Sequence, residues 1–472
     1  MATAIRSRER IAAKDGKSKK PDREAKKQEI AKLIKDQKVE YVYYEHISIT
    51  GRIIGKGVPS NHFEEVADTG YQLVYGSVAD LFMDRHHNYI GFGANESELK
   101  GIPDLDTFRI LPWEPRVARV YCDTFDSETG EPFEADCRSN LKRLSVEVEK
   151  DLGGTFYVGI EPEMMWLRQD ENGKLEGVTK PFCYHIAQFE ILRPVYLDVI
   201  TYGKAMGLDM IQGDHEDAPG QLELNMHHDR APMTADNITT YRHICSEVAR
   251  KHGLIASFMP KPFIGVSANG HHHHFSMKDQ RGGEMFLDES GPGKLSQFGR
   301  YFVGGILKHA DALCALTAST VNSYKRFLDA GFWAPLYRDW GWQNRTSLVR
   351  VAAPGRCEYR AVDASVNPYL SLVGILAAGR DGVKNKIDPG PPQQANIYEI
   401  ADRARLAHEG GRDRIPLHLG DALKALENDP VIRGALPGKL YDVFMHYKTD
   451  EWERYLAHVS DWELDRYLNF LP

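Results

Sequence analysis

The chain has 472 residues with 59 Lys and Arg against 67 Asp and Glu, and a formal net charge of −8 excludes a general polyanion binder. Its 42% hydrophobic and 27% charged residues lie in the globular range, which excludes disorder as the main state and leaves core enough for more than one domain. No apolar run approaches the roughly 20 residues of a membrane span, and six Cys form no CxxC pair, so the expectation is a cytoplasmic protein with reduced thiols and neither a nucleic-acid nor a membrane partner.

Residues 1–30 read as a basic arm. Its first 27 residues hold ten Lys or Arg and four Asp or Glu with almost no large apolar side chain, so the arm is expected to be disordered. From Val39 to Val74 the chain is rich in Val, Ile and Tyr with turns at Gly51, Gly55, Gly57 and Pro59, which predicts a small sheet with hairpins. Strand-like runs between Asp104 and Asp123 complete a first domain over 31–125. The acidic stretch from Asp126 to Asp136 leads into a second domain over 126–472. There the apolar spacing predicts helices over 138–151, 192–206, 234–252, 294–316, 367–379 and within 417–471. Hairpin strands mixed with these helices give an α+β class.

Four runs carry reactive side chains on one face, because residues i and i+2 of a strand point the same way. Between Tyr157 and Met165 the pair is Glu161 and Glu163. Between Gln221 and Met226 the apolar Leu222, Leu224 and Met226 turn inward, leaving Gln221, Glu223 and Asn225 opposite, with Glu216 just upstream. The run His271 to Ser276 groups His272, His274 and Ser276. Arg356 to Arg360 groups both Arg with Glu358 and turns Cys357 and Tyr359 inward. A solvated sheet face accounts for any one run better than for all four.

Clustered carboxylates repel unless a cation neutralises them, and oxygen donors with an occasional imidazole suit Mg2+ or Mn2+. Glu161, Glu163, Glu216, Glu223, Glu358 and His272 could serve two such ions. Arg326, Arg345, Arg350, Arg356 and Arg360 supply forked donors for carboxylate and phosphoryl oxygens. Adding two divalent ions and ATP to these acids and arginines brings the site near neutrality, as exclusion of water requires. No Gly-rich phosphate-binding motif is present to do that work instead.

The strings Gly159-Ile-Glu-Pro-Glu163, His215-Glu-Asp-Ala-Pro-Gly-Gln-Leu-Glu223, the His-x-His of 272–274, Asn322-Ser-Tyr-Lys-Arg326, Asn344-Arg-Thr-Ser-Leu-Val-Arg350 and Arg356-Cys-Glu-Tyr-Arg360 resemble glutamine synthetase in this order. The similarity runs over roughly 38–472. It implies a small N-terminal β-grasp domain and a larger C-terminal catalytic domain with a curved antiparallel sheet flanked by helices. It also implies a homo-oligomeric ring, commonly a dodecamer of two stacked hexamers, with active sites between subunits. By resemblance, Glu163, Glu216 and Glu223 are ligands of the cation near the acceptor carboxylate, and Glu161, His272 and Glu358 of the cation on the nucleotide side. Arg326 and Gly270 would hold L-glutamate. Arg345, Arg350 and Arg360 would act on the phosphates and the acyl phosphate, and His274, Ser276, Arg350 and Arg356 would bind ATP. The implied chemistry is phosphorylation of the γ-carboxylate followed by attack of an amine.

Two departures bear on that amine. Family members usually carry an Asp three residues before the Gly of the Gly-x-x-x-Gly-Lys stretch, where it binds ammonium from the neighbouring subunit; here it is Ser48. The flap that usually reads Glu-Ala-Pro reads Gly331-Phe-Trp333-Ala-Pro335, with one extra residue after Arg326, so Trp333 stands in place of the Glu. Ammonium and alkylamines are cations at neutral pH and want carboxylates, whereas an arylamine is already neutral and wants an apolar pocket. Ser48, Phe332 and Trp333 therefore point to a γ-glutamyl ligase for an aromatic amine such as aniline. Open alternatives are an alkylamine or polyamine, ammonia itself, or a non-catalytic ring, against which the full ligand set argues. Tyr398 stands where some relatives are adenylylated, and whether it is modified here stays open.

Overall fold

The structure is a computed structural model describing residues 19–80, 82–93, 95–328, 333–399 and 414–469. Strands β1 (Tyr41–Ile47), β2 (Ile53–Pro59), β3 (Tyr71–Val74), β4 (Glu98–Pro103), β5 (Arg109–Ile110) and β6 (Val117–Asp126) form one sheet in the order β2-β1-β6-β4-β3, with β5 beside β6. Strands β1 and β2 make a hairpin, and β1 runs parallel to β6. Val42, Tyr44, Leu99, Ala118 and Val120 are fully buried beneath it. Gly51 in the hairpin turn has φ +81 and packs on the Asn367 backbone, where a Cβ would come within 3.0 Å of the Asn367 Cα.

Two helices interrupt what the sequence reads as an arm and then as strands. Lys19–Asp36 is a helix with Ile30 and Ile34 buried and Lys27 Nζ 2.9 Å from Asp68, so the disordered arm expected over 1–30 is wrong from Lys19 onward. One apolar stripe suffices when a neighbouring helix receives it. Residues 1–18 lie outside the described residues. Phe63–Thr69 is that neighbour, with Phe63, Val66 and Ala67 buried at helical spacing.

The remaining strands are β7 (Gly154–Ile160), β8 (Glu163–Gln169), β9 (Leu175–Gly177), β10 (Met210–His215), β11 (Gln221–Met226), β12 (Asp229–Arg230), β13 (Ile255–Ser257), β14 (His273–Asp279), β15 (Trp340–Trp342), β16 (Val349–Ala353) and β17 (Arg356–Tyr359). The expected curved sheet is two sheets. One runs β10-β11-β8-β13 with β9 beside β8, and the other runs β12-β7-β14-β17-β16-β15. All their pairs are antiparallel except β15 with β16. The chain crosses between the sheets at Glu161-Pro162, so the stretch from Tyr157 to Met165 is not the single strand the i, i+2 argument assumed. Pro162 has no N–H with which to continue a ladder.

Helices back the sheets, with Pro368–Lys384 buried along most of its length. The helix expected over 294–316 is broken at His309 into Gln297–Lys308 and Ala310–Thr317. There the imidazole Nδ1 donates to Asp429 (2.6 Å) and Nε2 to Asp381 (3.0 Å). Arg138, 2% exposed, ties the β4–β6 region to the helix Ala231–His252, its guanidinium donating to Asp104, Asp123 and Asp236. Among the described residues no helix is long and apolar enough to cross a membrane.

Candidate active site

Five carboxylates and two imidazoles converge where the two sheets meet. The Glu161-Pro162 crossing brings the β7 and β8 ends together, so Glu161 and Glu163 share a site although they share no strand. His272 Nδ1 lies 3.1 Å from Glu161, 3.6 Å from Glu358 and 3.8 Å from Glu163. Arg326 donates to His272 Nε2 (3.1 Å), which leaves the ring proton on Nδ1 facing Glu161. His271 and His273 point the other way and are fully buried, as strand alternation requires. Gly270 N–H donates to Glu163 (2.8 Å), and a Cβ on Gly270 would stand 2.7 Å from that carboxylate. Gln221 donates a second hydrogen bond to Glu163 (3.0 Å).

The electrostatics divide the acids into two sets. Burial and then the Glu161, Glu163 and Glu216 charges push Glu223 well above the ordinary carboxylate range. Burial followed by Glu163 and Asp214 raises Glu216 to about 8, and burial with Glu161 raises Glu163 to about 7 despite the Gly270 hydrogen bond. Within this set only Glu163 feels positive charge, from Arg326 and Arg360, and burial outweighs it. In the other set, burial would raise Glu358, but Arg360, His272 and His274 hold it down at about 2. Glu161 is likewise held low against burial by hydrogen bonds from His272 and His274. Burial and Arg360 drop His272 to about 4, which keeps it neutral, with its Nε2 lone pair taken by Arg326.

The donor set fits divalent cations. Ligand atoms of Glu161, His274 and Glu358 lie within 4.8 Å of one another, so the tight trio contains His274 where the sequence reading put His272. Glu163, Glu216 and Glu223, raised by burial and by one another, are the second group that a cation would relieve. Glu358 is fully buried and accepts hydrogen bonds from Arg350 (2.9 Å) and Arg360. Arg360 also donates to the Trp333 carbonyl (3.2 Å), which ties the flap to the acid cluster. Trp333 is 54% exposed with φ +61, a conformation that bulky residues seldom hold without a functional constraint. Arg326, 5% exposed, anchors on the Val362 carbonyl (2.8 Å).

Beside the trio opens a cavity of about 280 Å3, lined by Glu161, His274, Ser276, Arg356, Tyr157 and His228. Three of the predicted nucleotide residues, His274, Ser276 and Arg356, thus share one cavity. Arg345 is exposed, and its charge acts on Cys183 and Tyr184 rather than on the trio. Ser48 is not brought to the site within one chain. It is fully buried, its hydroxyl engaged by Thr50 (2.9 Å) and the Arg52 N–H (3.3 Å) and its carbonyl by Asn367 (3.1 Å). Within one chain the hydroxyl closes the hairpin turn; the Ser48 reading concerns the amine pocket of a neighbouring subunit. Phe332 lies outside the described residues. The Tyr398 hydroxyl donates to the Ala334 carbonyl (2.7 Å), so it braces the flap.

Sequence reasoning missed several residues that touch the site's acids and arginines. Gln343, at φ +52, accepts from Arg350 (2.9 Å), and Cys183 Sγ approaches Glu216 at 4.0 Å. Asp214, raised to about 6 by burial and Glu161, adds a further acid. No periodicity marks these positions. The adjacent His227 and His228 were a usable signal for His228.

Comparison with known proteins agrees with this geometry. Residues 134–467 match the model of the glutamine synthetase catalytic domain. A glutamine synthetase of Pyrococcus woesei is 38% identical over 449 residues, covering 92% of this chain and 97% of the relative. A glutamate–methylamine ligase of Methyloversatilis universalis is 37% identical over 456 residues, covering 94% and 99%. A solved GmaS/ADP complex superposes with TM-score 0.82 at 30% identity, covering 93% of this chain and 99% of that one. The buried acid cluster, its arginine clamps and full-length similarity of this kind place the chain in the glutamine synthetase family, as an ATP-dependent ligase that forms a carbon–nitrogen bond.

Proposed function

We propose that the protein joins L-glutamate through its γ-carboxylate to a neutral aromatic amine such as aniline. The γ-phosphoryl group of ATP passes to the γ-carboxylate, giving an acyl phosphate and ADP. The amine nitrogen then attacks the acyl carbon, phosphate leaves, and the nitrogen gives up its proton. Glu161, His274 and Glu358, with His272 beside them, would hold one Mg2+ or Mn2+, and Glu163, Glu216 and Glu223 another. Such ions, when bound, offset the charge of the phosphates and of the clustered acids. Arg326 and Gly270 are assigned to glutamate, Arg350 and Arg360 to the phosphoryl oxygens, and Arg345 to the acceptor side. The enzyme is taken to work as a ring of identical subunits in the cytoplasm.

The observation that carries the amine assignment is Trp333, an exposed indole whose backbone is clamped by Arg360 above the acids. An indole offers an apolar face and no proton acceptor, so a small cation gains nothing there and an aromatic ring gains contact. The deciding measurement is kcat/KM for aniline against ammonium with ATP, glutamate and Mg2+. A ratio well below one refutes the reading. Similarity to the methylamine ligase of Methyloversatilis universalis favours a second reading, a short alkylamine acceptor, and methylamine belongs in the same panel.

A further inference from the structure

We propose that the chain carries a second ligand site, lined by none of the clustered acids, that takes a small aromatic carboxylate and weakens glutamate binding when filled. A cavity of about 770 Å3 opens where the β1–β2 turn, β13 and the helices Pro368–Lys384 and Lys439–Leu456 come together. Arg52, Arg242 and Lys448 line it with Glu451 as the one carboxylate among the described residues, so its wall is positive. Lys448 is paired with Glu451 (2.8 Å) and Arg52 reaches Asp80 (3.4 Å). Arg242, partly buried, pairs with no carboxylate among the described residues; two of its five N–H donors hold the Val366 and Ala364 carbonyls (2.8 Å each). Both acceptors are neutral. Burial pulls the Arg242 pKa down to about 10, with Asp363 opposing. A guanidinium withdrawn from water without a counter-ion is a seat for an anion, and its planar fork fits a carboxylate. The rest of the wall selects the body of that anion. Phe258, over whose ring Arg242 stands at 5.6 Å, lines the cavity with Phe444, Tyr447, Leu316 and Leu370. An inorganic anion would leave this carbon surface unmet, whereas an aromatic acid meets both the charge and the rings.

The stretch from Val362 to Val366 connects this cavity with the residues assigned to glutamate, and the coupling rests on that assignment. Arg242 holds the Ala364 and Val366 carbonyls. Within the same five residues the Val362 carbonyl accepts from Arg326 (2.8 Å), the Ala364 N–H donates to the Asn269 carbonyl (3.1 Å), and Asp363 pairs across an isolated bridge with Gly270. Burial lowers the pKa of both Arg242 and Arg326, and Asp363, 1% exposed, opposes it at both, at Arg326 after Glu163. A carboxylate that draws Arg242 off its two carbonyls therefore shifts the stretch on which Arg326 and Gly270 are seated. Coupling of this kind is reciprocal.

Calorimetric titration of the assembled full-length enzyme with benzoate tests the site. Benzoate should bind about tenfold more tightly than acetate, which lacks the ring, and than benzamide, which lacks the charge. Arg242→Gln, which keeps an N–H donor for the carbonyls, and Ala256→Phe, which fills the cavity from β13, should each weaken benzoate about tenfold. Wild-type affinity in both variants overturns the site, as does a wild type that prefers neither the ring nor the charge. With benzoate present, KM for glutamate should rise about fivefold and then level off, and saturating glutamate should weaken benzoate by the same factor. A KM that rises without limit, equally in Ala256→Phe, would put benzoate in the active site and overturn the proposal, and an unmoved KM would overturn the coupling. An enzyme that binds benzoate through Arg242 yet makes no product from glutamate would overturn the functional reading and leave the site standing.

Discussion

Glu358→Gln should disable catalysis and destabilise the fold together, by amounts that the surroundings of Glu358 set. The carboxylate is fully buried and is the shared partner of Arg350 and Arg360, whose side chains are 12% and 3% exposed. Removing one partner from a buried ion pair costs about 3–5 kcal/mol, because the charge left behind has lost its counter-ion and stays out of water. An amide can accept from one guanidinium but supplies no charge. It also takes one of three atoms from the Glu161, His274 and Glu358 trio. With the cation weakened and Arg350 and Arg360 released, about 4 kcal/mol of transition-state stabilisation or more should vanish, roughly a thousandfold in kcat/KM. Phosphate release measured on protein shown to be folded by urea titration, together with Mn2+ affinity from electron paramagnetic resonance, separates the two effects. A Glu358→Gln enzyme with Mn2+ affinity and kcat/KM both within tenfold of wild type would show that the trio holds no ion.

Three further outcomes follow. Trp333→Ala should lower kcat/KM for aniline roughly 30- to 150-fold, the equivalent of about 2–3 kcal/mol of ring burial and contact, and Trp333→Glu should raise the use of ammonium relative to aniline; equal ratios in all three proteins would remove Trp333 from the amine site. Burial alone would lower the His309 pKa, but its hydrogen bonds to Asp429 and Asp381 raise it, so its stabilisation is complete below the unfolded value near about 6.5 and is lost as pH rises through the folded value. His309→Gln should accordingly lower the urea midpoint at pH 6 and progressively less at alkaline pH, and a pH-independent difference would refute the doubly paired imidazolium. In one chain Leu456, Val459, Trp462 and Leu468 are each more than 60% exposed near the C-terminus, a strip that assembly should cover. Trp462→Asp combined with Leu468→Asp should shift sedimentation toward smaller species, and a fully active wild-type monomer would contradict the ring.

The chemistry of the site was legible in the sequence because its residues come in short strings whose spacing matches a strand. Faces alternate as expected in β14, where His273 and Phe275 are buried and His274 lines the cavity, and in β17, where Cys357 and Tyr359 turn inward and Glu358 faces Arg350 and Arg360. What short strings could not tell was where a strand stops. Glu161 and Glu163 obey the i, i+2 rule on paper, yet Pro162 ends one strand there, and they meet because the two sheets meet. The helix over Lys19–Asp36 escaped notice for a related reason, since its composition is that of a solvated arm and only the docking of Ile30 and Ile34 on a neighbouring element decides otherwise.

Within one chain the Ser48 hydroxyl closes a hairpin turn through Thr50 and Arg52 and is removed from solvent. The case for an uncharged amine is therefore carried, within one chain, by Trp333. Its geometry gives that case physical content, since an indole held at φ +61 and open to solvent wins nothing for the isolated fold. The clamp from Arg360 to its carbonyl links the flap to the carboxylate that Arg360 and Arg350 share. A substrate that draws Arg360 toward phosphoryl oxygens must therefore loosen or reseat the Trp333 backbone. Amine selection and phosphoryl transfer are on this account coupled through one guanidinium, and an Arg360→Lys enzyme should lose discrimination between amines along with rate.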